Sequence, residues 1–332
     1  MRDAVGAADR LRTEVATAFG AVVGEAGSPS GRIHVGWWAA VAAAACPAAY
    51  RAEGEAGWGF PGWSPATAAG AVARATLDRH LDEAPPAAPL DPLEAVRRWI
   101  RTARDTSADG AAGWVAERRD EGDAGALAAT AAAASRWLAG FVRVLGWPLP
   151  PDLALLNVAR GGPAPTTPTW RPPDLPAVSV TAGADARLGR VSGAGRFALV
   201  VHRPSGGDDA AVRLRASVEA ATGALTRGIA PEAVLVTTGD TGERLRLDVD
   251  TAVLAEGAHL LVEAVRQRAA AAERGFDPVD ATPSARCRRC EHAEGCPAGQ
   301  AWLAGPGRWR DGLPALLPLD EHDDVARVGA VL

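Results

Sequence analysis

Four cysteines constrain this 332-residue chain more than any other feature. Three stand in one short run, Cys287-Arg288-Arg289-Cys290-Glu291-His292-Ala293-Glu294-Gly295-Cys296, a C-x2-C-x5-C spacing. The fourth, Cys46, lies 241 residues before Cys287, in Ala45-Cys46-Pro47. Joining it to the other three closes a loop whose entropy costs about 5 kcal/mol plus a constant. A metal centre can offset that cost, and in exchange the two ends of the chain become fixed. Thiolates are soft ligands, which favours iron–sulfur or zinc over hard cations. A cubane 4Fe-4S cluster consumes four cysteines, the number present. The expectation is therefore a 4Fe-4S cluster on Cys46, Cys287, Cys290 and Cys296. The alternative is a zinc ion on Cys287, Cys290, Cys296 and His292, with Cys46 an ordinary core cysteine.

Composition narrows the chemistry around this centre. All 35 basic residues are Arg, so no mechanism that needs a catalytic Lys can run on this chain. The net charge is −5, which gives no global attraction to a polyanion, and any nucleic-acid contact needs a local Arg patch. Apolar residues make up 48% of the chain, enough to build a core. No run reaches the ~18–20 apolar residues of a membrane span, so no membrane partner is expected. The first residues alternate charged with apolar types and lack the apolar core of a signal peptide. The chain is read as cytoplasmic, where thiols stay reduced.

Five segments follow from the patterning. Residues 1–82 read as a helical part carrying the first cysteine, with helical spacing in Val5, Ala8, Leu11, Val15, Phe19 and Val22 and a breaker at Gly27-Ser28-Pro29-Ser30-Gly31. Within it, residues 37–50 read as a short buried helix ending near Cys46-Pro47 and 54–65 as a loop rich in Gly, Pro and Trp. Residues 83–150 read as a helical insertion and 151–176 as a Pro-rich linker. Residues 177–275 form an α/β core in the order β-β-β-α-β-β-α, with a hairpin turn at Gly239-Asp240-Thr241-Gly242. Residues 276–332 are the Cys-rich tail.

An early Cys-Pro followed by a late C-x2-C-x5-C resembles the iron–sulfur branch of the RecB-like PD-(D/E)XK nucleases, which includes CRISPR-associated RecB-like exonucleases and the nuclease domain of AddB. Cys46-Pro47-Ala48-Ala49-Tyr50 is similar to that branch's Cys-Pro-x-x-Tyr/Phe segment, and Gly70 to Arg74 to its Gly-x-x-x-His helix. Gly183-Ala184-Asp185 falls at its first metal-binding Asp. Leu199 to Gly206 falls at the strand carrying (D/E)-x-K, and Arg213 to Leu225 at its Gln/Tyr helix. The resemblance implies an α/β fold: a restriction-endonuclease-like core with a helical insertion, its termini stapled by the cysteines.

At the catalytic positions this chain departs from that pattern. The helix His falls at Arg74, the second carboxylate at His202 and the Lys at Pro204, which leaves only Asp185. Hydrolysis in this fold uses clustered carboxylates to hold Mg²⁺ and a Lys to steady developing charge. One Asp and one His bind Mg²⁺ poorly, because Mg²⁺ prefers oxygen ligands. Asp185 and His202 therefore stand as vestigial site residues, with His202 expected at the solvent edge of its strand. The resemblance then implies a catalytically degenerate nuclease-fold protein, a DNA-binding or scaffold subunit in DNA processing or defence. Its partners would be single-stranded DNA and a helicase or other protein. Arg286, Arg288 and Arg289 would meet phosphates, and Trp58 and Trp63 would stack on bases. Two alternatives remain: a working single-strand exonuclease around Asp185, His202, Asp208 and Asp209, and a zinc-stapled protein-interaction module.

Overall fold

The computed structural model describes residues 2–26, 32–57, 63–83, 89–103, 110–145, 153–158, 168–184, 186–190, 197–203, 209–238, 244–274, 276–283, 287 and 290–305. The chain opens with helix α1 (Arg2–Glu25), strand β1 (Ile33–Val35) and helices α2 (Trp37–Ala45), α3 (Pro47–Gly57) and α4 (Pro65–Glu83). Helices α5 (Pro92–Thr102), α6 (Ala111–Asp120) and α7 (Ala124–Leu145) come next, then strands β2 (Leu153–Val158), β3 (Thr169–Trp170), β4 (Val178–Thr181), β5 (Ala186–Arg190) and β6 (Phe197–Arg203). The remainder is α8 (Asp209–Arg227), β7 (Ala233–Thr238), β8 (Arg244–Asp248), α9 (Thr251–Arg274) and α10 (Pro297–Ala304). No helix among the described residues is long and apolar enough to cross a membrane.

The larger sheet has the strand order β2-β5-β6-β7-β8. Pairs β2/β5, β5/β6 and β7/β8 are antiparallel. The pair β6/β7 is parallel, with Ala198 opposite Ala233 and His202 opposite Thr237, and α8 makes the crossover that parallel neighbours require. A smaller sheet, β1-β4-β3, sits apart from it. Fold class is thus mixed α/β, as the sequence implied.

Strand alternation divides the interior in two. On one side of β6, Phe197, Leu199 and Val201 join a core shared with α1, α2, α8 and α9, including Phe19, Val35, Tyr50, Leu225 and Leu261. On the other side Val200 and Leu188 join Leu77, Val96, Trp137, Leu138 and Phe141 of α4, α5 and α7. Helices α8 and α9 run very close: a Cβ on Gly257 would stand 2.1 Å from the Ser217 carbonyl oxygen, so only glycine fits. Helix α5 starts where Asp91 accepts from the Leu93 and Glu94 N–H groups ahead of Pro92, a complete N-cap.

Several elements differ from the sequence expectation. The helix expected over 37–50 does end at Ala45, where Cys46 turns extended (φ −157°, ψ 94°), but Pro47 then begins a second helix, α3, that was not expected. Residues 54–57, expected in a loop, close α3. The Pro-rich stretch 151–176 is not only linker: the proline-free run Leu153–Val158 is the edge strand β2, and β3 lies there too. Edge strands tolerate flanking prolines, which is why the run pairs despite them. Strand β1, three residues beside a glycine breaker, has too short a pattern to read. The hairpin turn expected at residues 239–242 lies outside the described residues.

Candidate functional site

None of the four cysteines forms a disulfide among the described residues. Cys46 closes α2, where its N–H donates to the Ala42 carbonyl (3.1 Å), and its own carbonyl accepts from the Tyr50 N–H as α3 begins. This break between two helices drops the side chain into the core beside α9, where it is buried. Cys290 packs against that same core. Cys296 is the N-cap of α10, and its sulfur accepts from the Gly299 N–H at 3.3 Å. Cys287 approaches from the other side: a Cβ on Gly299 would stand 3.4 Å from the Cys296 sulfur and 3.5 Å from the Cys287 sulfur. Two thiols thus converge beside a glycine, while Cys46 and Cys290 both join the larger core. Among the described residues no three His, Cys, Asp or Glu are drawn into a set able to hold an ion. The donor chemistry suits iron–sulfur or zinc, and Gly299 leaves room beside two of the sulfurs. His292, the fourth ligand of the zinc alternative, is stacked on Phe276 (centroids 4.4 Å apart, planes at 17°).

A buried cation ties the tail to the body. Arg51, on α3 one turn past Cys46, is 2% exposed. It donates to Gln267 of α9 (2.8 Å) and pairs with Asp280 (2.9 Å) in the turn that leads into the Cys run.

The positions where the resemblance puts a catalytic His and carboxylate do come together, around an aromatic side chain. His202 is 3% exposed, not at a solvent edge as expected. The reason is α7, whose Trp137 and Phe141 meet the imidazole edge-on at 4.6 Å and 5.5 Å. Trp137 and Phe141 stack on each other (5.1 Å), and His202 Nδ1 hydrogen-bonds the Thr237 hydroxyl (2.6 Å). Arg74 of α4 lies over the outer part of the same Trp137 ring, 5.7 Å from its centroid. The described side chains here are a guanidinium, an imidazole, a hydroxyl and two rings, which do not fit Mg²⁺. Asp185, Pro204 and Asp208 lie outside the described residues, as does the side chain of Asp209.

One buried acid was not singled out from the sequence. Glu219 of α8 is fully buried, and its carboxylate accepts from the Gly183 N–H (3.1 Å) and the Thr222 hydroxyl (3.4 Å). Trp37 presses on Gly183 from the other side, and the Arg215 guanidinium lies 4.0 Å over the Trp37 ring. A lone acid inside Ala216-Ser217-Val218-Glu219-Ala220-Ala221 was the available signal. Glu219 sits on the α8 side of the sheet and His202 on the α7 side, so the two cannot share a metal.

Of the residues expected at DNA, Trp63 is half-buried against the α4–α7 core. Trp58, Arg286, Arg288 and Arg289 lie outside the described residues. No family model matches the chain, and no curated protein matches it as a relative.

Proposed function

We propose that this chain is a RecB-like nuclease fold without a working hydrolytic centre, acting as a DNA-binding or scaffold subunit. The observation that carries this is Trp137. Its ring packs against both Arg74 and His202, two positions at which the resemblance implies catalytic residues, and is backed by Phe141, which supports a site without room for a metal ion. A two-metal or one-metal hydrolase needs oxygen ligands and room for water there. The order of strands and helices, three strands, α8, two strands, α9, supports the core the resemblance implies. Cys46, Cys287, Cys290 and Cys296 would hold a 4Fe-4S cluster, which supplies a fixed link between the first helices and the tail rather than chemistry on a substrate.

The test is a cleavage and binding assay on cluster-replete protein. With Mg²⁺ or Mn²⁺ present, neither single- nor double-stranded DNA should be cut, while single-stranded DNA should bind with an affinity that falls as salt rises. Metal-dependent cutting that disappears in Asp185→Ala would overturn the proposal. Absence of both cutting and DNA binding at low salt would reassign the surface to a protein partner.

A further inference from the structure

The face of the large sheet that carries α8 holds two arginines that nothing described above uses. Arg187 stands on β5 opposite Leu199 of β6, so both side chains project from the same face. That face meets α8: a Cβ on Gly223 would lie 2.8 Å from a Leu199 methyl. Arg227 is four residues on from Gly223, on the same side of the helix and one turn nearer its end. The two guanidinia are thus brought to one place, between the sheet and the last turn of α8. Arg187 lies over the Phe197 ring, 5.5 Å from its centroid, which fixes one wall.

Among the described residues no carboxylate forms an ion pair with Arg187 or Arg227, and the Nε of each is buried with no hydrogen-bond partner. Burial lowers the pKa of both, and for Arg227 the charge of Arg187 lowers it further. Glu219, the buried acid on the same helix face, is two turns back, about 12 Å along the axis. The electronegative end of α8 favours Arg227, which stands in its last turn, but not Arg187 on β5. That end already has a cation: Arg12 of α1 donates its Nε–H to the Leu225 carbonyl (2.8 Å) and reaches Gly228, whose φ of +71° ends the helix. Two partly buried like charges close together, each with its Nε buried and unpartnered, form an arrangement that an anion would complete.

We infer that Arg187 and Arg227 form an oxoanion site for a phosphate dianion, either inorganic phosphate or a terminal phosphate monoester. Two planar guanidinium forks match the oxygens of a phosphoryl group, and a dianion neutralises both charges where a single carboxylate would leave one over. The phosphoryl group could be free or stand at the 5′ end of a polynucleotide. The site depends on neither the cysteine centre nor the absence of hydrolysis.

The experiment is a calorimetric titration of inorganic phosphate into the full chain, in chloride buffer at constant ionic strength. Saturable binding is expected, weakened about tenfold or more by Arg187→Met and by Arg227→Met, as loss of a charged hydrogen-bonding partner implies. In parallel, a single-stranded oligonucleotide carrying a 5′-phosphate is compared with the same strand ending in a hydroxyl. Tighter binding of the phosphorylated strand, with displacement by inorganic phosphate, identifies a polynucleotide end. Equal binding of the two strands beside saturable inorganic phosphate identifies a free phosphate. Should either variant fail to fold, the wild-type midpoint of thermal unfolding must still rise with the logarithm of low-millimolar phosphate. No saturable binding by the wild type, or binding unchanged in both variants, overturns the site.

Discussion

The two faces of the five-stranded sheet have been built for opposite purposes. The α7 face is apolar and aromatic: Trp137 and Phe141 close over His202 beside Leu138 and Val200, and His202 Nδ1 hydrogen-bonds the Thr237 hydroxyl within it. The α8 face is the larger core and the one that carries ions: Glu219 under Gly183, Arg215 over Trp37, Arg51 with Asp280, and the Arg187–Arg227 pair. The resemblance puts hydrolytic chemistry at positions that open onto the α7 face. In this chain that face is packed like an interior, while the retained polar and thiol groups gather on the other side. On the reading proposed above, side-chain volume would be what closes this face to an ion and water, since the Trp137 indole and Phe141 pack against His202.

That contrast can be broken most severely at Trp137. If the α7 face is a true interior, Trp137→Ala should cost about 3–5 kcal/mol in denaturant unfolding, as for other buried aromatics. A near-neutral result would mean the face is an open cleft with a mobile ring. The opposite face should respond through its ionic clamp. Arg51→Met removes a charged hydrogen bond to Gln267 and the Asp280 pair, and should cost about 2 kcal/mol. The loss should appear first as proteolysis of the tail beyond residue 280, seen by mass spectrometry. Global unfolding without prior tail release would show that Arg51 serves the core and not the tail.

A smaller change sharpens the account of His202. Thr237→Val keeps the shape and removes the hydroxyl on His202 Nδ1, for an expected loss of about 1 kcal/mol. Nuclear magnetic resonance of the imidazole should show an altered Nδ1 environment with the ring still buried; a solvent-exposed imidazole signal would contradict the packing. The smallest effect belongs to Arg246, whose pair with Asp248 lies on the exposed edge strand β8 (62% and 78% exposed). Arg246→Ala should change stability by less than about 0.5 kcal/mol. A larger loss would mean that the edge is covered by something in solution.

Legibility in the sequence followed the length of the pattern. Helices α1, α4, α8 and α9 and the order β4, β5, β6, α8, β7, β8, α9 were readable, because long apolar periods and glycine turns mark them. β1 and β3, two or three residues each, and the proline-flanked β2 left no such period. At the site, the cysteine spacing was plain, whereas the burial of His202 was not. Its neighbours on β6 gave only an apolar strand, and the residues that cover it, Trp137 and Phe141, lie some 60 positions earlier on another helix. Glu219 was hidden for a similar reason: what makes it a buried acid is Gly183 and Trp37, brought in by β4 and α2. Contacts between distant segments carry no local signature, and this site is made of them.

The central claim is that Cys46 and the three tail cysteines form one centre, and metal analysis of Cys46→Ser beside the wild type tests it most directly. Anaerobically purified wild type should be brown and carry about four irons with matching sulfide per chain. Cys46→Ser should lose most of that iron and free the tail, since the link between the first helices and residues 287–296 goes with it. A colourless wild type holding one zinc, or a Cys46→Ser protein that keeps its full iron, would contradict the account.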